Sequence, residues 1–256
     1  MANVLERSSP VYWCRPTKRQ SGSCCVAVST PPLRPDPAIY SQDQVMQQGG
    51  IPSWDSPDIT TNNDIPWTLR PETVVTVRNL SPHVTAVNTQ VQVSISGFGI
   101  GLPKTQLSNQ LVTLPPAQDR TFNFALSQAV LSGAQSIGVF VQLYHPNDAV
   151  EINSHGAQVI TSFDTKTSGR HVTTDVPIAN PTGVAQTISL AVLPNNVSAV
   201  ISPATHNFAP LEQIVAKLTV TAPGGAHNTS ETATVVAYDS SGALIGGASL
   251  LIMVND

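Results

Sequence analysis

The segment Tyr144–Gly156, YHPNDAVEINSHG, gathers two histidines, Asp148, Glu151, two asparagines and a proline into thirteen residues. Only 11% of the whole chain is charged, so this is a local concentration of chemistry. Three readings are open. Asp148, Glu151 and Asn153 offer oxygens, which calcium takes in sets of about six to eight. His145 and His155 are transition-metal donors, with no third ligand beside them in the segment. Pro146-Asn147-Asp148 is turn chemistry, because Asp and Asn side chains bond nearby backbone amides. The dense alternation of acids found in dedicated calcium loops is absent. The favoured expectation is therefore a hairpin connection between strands containing Leu143 and Gln158, with no metal and no cofactor assigned. A calcium loop at Asp148, Glu151 and Asn153 is the alternative.

Other candidate chemistry is thinner. GFGIG, residues 97–101, alternates three glycines, but LPKTQLSNQ follows and Pro103 rules out the helix that a phosphate-binding fingerprint needs. It reads as a glycine-rich loop or bulge, or as a close backbone contact with a partner. No G-x-S-x-G elbow and no placed nucleophilic cysteine appears, so no catalytic residue is assigned and the chain is read as a non-enzyme. Cys14, Cys24 and Cys25 all lie near the N-terminus. Their odd number and C-x9-C-C spacing fit neither a disulfide framework nor a usual zinc pattern, which favours reduced thiols. His83, His171, His206 and His227 are scattered near turns, and Asn79, Asn196 and Asn228 open N-x-S/T triplets.

The elements that must position these residues are strands. Val and Thr are abundant, 21 prolines punctuate the chain, and the usual helix-surface residues are scarce. Period-2 alternation runs through 73–79, 88–96, 121–126, 137–144 and 157–163. It returns in QTISLAVL, QIVAKLTVT, TATVVAYD and ALIGGASLLIMVN, with Asp239-Ser-Ser-Gly242 as a tight hairpin. The fold expectation is all-β: two tandem immunoglobulin-like β-sandwiches, 53–165 and 166–256, joined near DTKTSGR. Residues 1–52 precede them, with seven prolines and the aromatics Tyr12, Trp13 and Tyr40. This segment is expected to be an extended arm docked on its own domains or on a neighbouring subunit, since proline-held chain loses little entropy on docking.

The stretches WDSPDI (54–59), ETVVTVRNLSPHVTAVNTQVQVSIS (72–96) and IGVFVQLYHPNDAVEINSHGAQVI (137–160) resemble CARDB-like modules, bacterial immunoglobulin-like domains. The resemblance spans roughly 54–162. The second half is similar, more loosely, to accessory immunoglobulin-like domains of bacterial multidomain proteins. The resemblance implies binding or scaffolding and no catalysis.

Charge narrows the partner. The chain carries a formal net charge of −4, with residues 1–52 at net +2 and 53–256 at net −6. Phosphate contacts need clustered Lys and Arg, so nucleic acid is not expected. No apolar run reaches the roughly 18 residues of a membrane helix. The opening MANVLERSSPVYWC has no secretory h-region, which points to synthesis in the cytoplasm and leaves the final location open between export by another route and a particle. The resulting expectation is a structural or interaction protein in a bacterial or phage-like assembly. Its arm would grip a protein partner or another copy through Tyr12, Trp13 and Tyr40, with strand addition at a sandwich edge as a second mode. The alternative is a carbohydrate-binding or adhesive module in which Trp54 or Trp67 stacks on a glycan; the favoured role for such a tryptophan is a sandwich cap, and a third is to receive another subunit as a partner-binding residue.

Overall fold

The computed structural model describes residues 33–63, 68–134, 136–165, 171–194, 197–221 and 229–254. In chain order the first eight strands are β1 Pro37–Ala38, β2 Ile59–Asn63, β3 Thr68–Asn79, β4 Ala86–Gly97, β5 Thr105–Leu114, β6 Asp119–Ala125, β7 Ile137–Tyr144 and β8 His155–Thr165. The others are β9 His171–Ala179, β10 Gln186–Val192, β11 Ser198–Ser202, β12 Thr205–Phe208, β13 Gln213–Thr221, β14 Thr229–Tyr238 and β15 Leu244–Val254. Two single-turn helices interrupt them, α1 Gln42–Gln47 and α2 Gln128–Gly133, each with a serine at its N-cap accepting a backbone N–H. The all-β expectation holds.

The alternating pattern does the positioning. In β4 and β7, Val91, Val93, Val139, Val141 and Leu143 are buried on one side of the sheet. In β13, Ala216, Leu218 and Val220 do the same. β5 was not foreseen because its TQLSNQ half is polar; only Val112 and Leu114 are buried, as suits a sheet edge.

Among the described residues three sheets result. β1, β2 and β6 all pair with β3; β11, β13 and β9 form a second sheet. The third has eight strands in the order β12-β10-β14-β15-β8-β7-β4-β5. It spans both halves of the chain because β15 runs parallel to β8, with Ser249 opposite Ile160 and Val254 opposite Thr165. The cores lie on opposite faces of it. Val139, opposite Gln158, belongs to the first core, whereas Val159, one residue on, belongs to the second with Leu250 and Ile252. Neighbours along a strand point to opposite faces, so the β3 sheet covers one side and the β9–β13 sheet the other.

The two halves follow the same path. β4 lies between β5 and β7 as β10 lies between β12 and β14, and β3 pairs with β6 as β9 pairs with β13. Asn79 and Asn180 close equivalent corners. Asn79 donates to the Val84 and Leu114 carbonyls and accepts from Ser81 N; Asn180 donates to Val184 and Ala209 and accepts from Thr182 N. Asn79 is 1% exposed, so its N-x-S/T triplet offers no accessible amide.

Two local devices fasten the halves. Ile100 N donates to the Pro177 carbonyl and Ala179 N to the Ile100 carbonyl, both at 2.9 Å. The glycines of GFGIG allow this: Gly99 and Gly101 have φ of +145° and +70°, and a Cβ on Gly101 would stand 2.2 Å from the Ala179 oxygen. GFGIG is thus a glycine-rich loop, and its close backbone contact is made with the chain's own second half and not with a partner. The second device is Trp54. Its ring is 2% exposed and sits in the second core against Gly247, where an added Cβ would come within 2.6 Å of it. Its carbonyl accepts from Val159 N at 2.9 Å. Trp54→Ala is expected to lower the unfolding free energy by about 3–5 kcal/mol in a urea titration, as for a buried aromatic. A change within about 0.5 kcal/mol is the result for a surface tryptophan and would contradict this placement.

Candidate functional site

The Tyr144–Gly156 segment forms the connection between β7 and β8, as its turn chemistry predicts. His145 O accepts from Asp148 N at 3.0 Å, closing a turn through Pro146 and Asn147. Asp148 Oδ1 accepts from Val150 N at 3.0 Å, and its other oxygen accepts from Ser154 Oγ. A 3-10 turn, Glu151–Asn153, then leads into β8.

This loop is the receiving surface for residues 35–41, which precede β2. Ala149 N donates to Pro35 O, and Ile39 N donates to Asn153 O, both at 2.9 Å. Asn153, 1% exposed, donates through Nδ2 to Asp36 Oδ1 at 2.9 Å. Ser41 Oγ donates to the Ile152 carbonyl at 2.7 Å. On its other side the segment meets β3: Asp36 N donates to Asn79 Oδ1 and Leu80 N to Asp36 O. Ile39 enters the first core at 2% exposure. Gln42 replaces a missing strand: its amide accepts from Ala157 N at 3.1 Å and donates to Ala157 O at 2.6 Å, as a neighbouring backbone would.

Below this contact lies a buried ion pair. Asp58 is 4% exposed, takes both guanidinium nitrogens of Arg78, and also accepts from Tyr40 N at 2.6 Å. The bond to Asp58 raises the Arg78 pKa further above its ordinary value. Removing Arg78 strands the buried Asp58 carboxylate, whereas the intact pair with the Tyr40 N–H fixes where this segment crosses β3.

The sequence-predicted residues fall as follows. Tyr40 docks on its own chain; its hydroxyl accepts from Ser53 N at 2.9 Å. Trp54 is neither a stacking platform nor a partner anchor on the surface, because the second core encloses its ring. Tyr12, Trp13, Trp67, Cys14, Cys24 and Cys25 lie outside the described residues. Asp148 and Asn153 are engaged in the turn and the arm contact, and Glu151 is exposed on the 3-10 turn. His145 Nδ1 accepts from Asn147 N, while His155 Nε2 lies 2.6 Å from Asp43. Among the described residues no three His, Cys, Asp or Glu side chains gather as a metal site. Sequence reasoning missed Gln42 and Asp58, whose partners are distant in the chain and carry no local signature.

No family model and no curated protein matches the sequence. Similar solved structures include SSP-19, an MSP-domain-like protein of Caenorhabditis elegans, at 13% identity and TM-score 0.25, covering 35% of this chain and 91% of that one. Elastase-activated Escherichia coli alpha-2-macroglobulin is 12% identical at TM-score 0.28, covering 90% of this chain; the chain spans 23% of that protein. The CupB6 tip adhesin from Pseudomonas aeruginosa is 6% identical at TM-score 0.23, covering 72% of this chain and 89% of that one.

Burial holds the Asp36 carboxyl above its ordinary pKa; the Asn153 bond opposes the shift and nearby Asp148 adds to it. The folded state therefore binds this proton more tightly than the unfolded chain, so ionised Asp36 costs stability at pH 7. That cost disappears as pH falls through the raised pKa. Asp36→Asn retains an acceptor for Asn153. It is expected to exceed the parent in stability at pH 7, with the gap narrowing as pH falls toward the unfolded aspartate range. Urea titrations across pH check this, and a gap independent of pH contradicts it.

Proposed function

We propose that this chain is a non-catalytic interaction protein of a bacterial or phage-like assembly, in which a stiff two-sandwich body carries a protein-binding segment upstream of it. The body is read as a CARDB-like immunoglobulin-like sandwich, 53–165, followed by a second one, 166–256. The observation that carries the reading is the intramolecular docking of residues 35–42 across the β7–β8 loop and β3. A segment anchored this way holds whatever precedes it at a set position on the body. The gripping role then belongs to residues 1–32 with Tyr12 and Trp13, since Tyr40 is already engaged. Aromatic anchors of this type dominate binding energy at protein interfaces. The polar groups of the β7–β8 loop support a non-catalytic reading, since they serve turns and arm contacts.

The test is a cross-linking pull-down from native lysate with the full chain and with a variant lacking residues 1–32, read by mass spectrometry. Partners are expected on the full chain only, with the melting temperature unchanged by the deletion. Equal capture without residues 1–32 overturns the reading. A deletion of residues 1–52 cannot separate binding from folding, because it removes Ile39 from the core and Gln42 from β8.

A further inference from the structure

The outer face of β4, β7 and β8, opposite the first core, has two rows of side chains. One is Gln92–Gln142–His155 and the other Ser94–Phe140–Ala157, with Tyr144 opposite Gln90 just beyond the first. Two depressions lie on this face, of about 420 and 240 Å³, and both are lined by Gln142 and His155. The larger is closed on one side by Leu244–Gly246 of the second half and holds Lys104. Lys104 Nζ lies 3.8 Å from the centroid of the Phe140 ring. Among the described residues it forms no ion pair. Lys104 is exposed as a residue, and partial desolvation of its ammonium in the depression lowers its pKa from the ordinary lysine value, a cost that an adjacent anion offsets. At the other end Tyr144 is 62% exposed. Four residues of strand β7 separate Phe140 from Tyr144, about 13 Å.

We infer that this groove binds an acidic oligosaccharide of two or three rings, with one ring stacked on Tyr144, hydroxyls on the Gln92 and Gln142 amides, and a carboxylate on Lys104. The occupant follows from the chemistry of the surface. Side-chain amides both donate and accept, as sugar hydroxyls do, and an exposed aromatic ring matches the apolar face of a sugar. A peptide added as a strand finds no edge here, because β4 and β7 are each paired on both sides. The combined depressions fall in the size range of small-ligand sites, about 300–1,000 Å³. Polarity sets the direction. Asp148 and Glu151 line the depression at the Tyr144 end, where they repel a carboxylate, so the acidic unit belongs at Lys104. His155 is held by Asp43 and forms the floor between the two ends. This site is independent of the upstream binding segment. Its failure leaves the assembly role intact, and failure of the pull-down leaves the groove.

The experiment is calorimetric titration of the full chain with cellobiouronate, which carries a carboxylate on one of its two rings, and with its uncharged counterpart, cellobiose, backed by saturation-transfer NMR. Cellobiouronate is expected to bind the tighter of the two. Lys104→Gln should weaken it about tenfold, the scale of a charge-assisted hydrogen bond, and remove the preference over cellobiose. Tyr144→Ala should weaken both sugars. Both substitutions are on the surface, and unchanged melting curves establish that the variants fold. Equal affinity for the two sugars, cellobiouronate binding unaffected by Lys104→Gln, or no binding of either sugar at millimolar concentration overturns the inference.

Discussion

The parallel pairing of β15 with β8 is the constraint on which the rest of the molecule depends. Two layered units joined only by a linker are free to rotate about it. Here the last strand of the chain continues the sheet of the first half, and the ladder of backbone bonds crosses the boundary. Because the strands are parallel, the second covering sheet lies on the reverse face, and the halves are offset across the shared sheet. This offset has consequences for side chains. The back of β7 and β8 faces the second half, which is why Phe140, Ala157 and Val159 pack toward the second core. Trp54 and Ile100 complete that core from the first half. The boundary is stiff because hydrophobic burial and backbone hydrogen bonds act there together.

The docking of residues 35–42 depends on the same arrangement. β8 pairs with β15 only from Ile160 onward, so residues before it need other partners on that edge. Trp54 O takes the N–H of Val159 and the Gln42 amide takes both backbone groups of Ala157. Buried backbone groups left unpaired are expensive, and this need explains why a glutamine side chain stands where a strand stops. The loop 144–156 supplies the rest of the docking surface, and its asparagines and aspartate are polar for that purpose.

Much of this was legible in the sequence and some of it was not. Strict alternation located β7 at 137–144 and β13 at 213–221 to the residue, and the DSSG hairpin formed with Asp239 accepting from Ser241 and Ala243. Those features are local. The shared sheet was invisible because parallel pairing of β15 with β8 leaves no local mark in either strand. Trp54 was half legible for a related reason: the sequence favours a capping role and the ring is buried, but only the distant Gly247 shows that the second core encloses it. The glycines of GFGIG announced a loop or bulge, and only topology could show that it closely approaches Pro177 and Ala179. The groove on β4 and β7 escaped because its members are ordinary alternate residues, brought together with Lys104 by the sheet.

The stiffness of the junction is the central claim, since both the presentation of an upstream segment and the groove walled by Leu244–Gly246 follow from it. Hydrogen exchange of the full chain, read by mass spectrometry on peptides spanning 160–165 and 249–254, measures it most directly. The account predicts protection of both segments equal to that of β4 and β14, lost only on global unfolding. Exchange of these two segments at the rate of exposed loops, with β4 and β14 still protected, would contradict it.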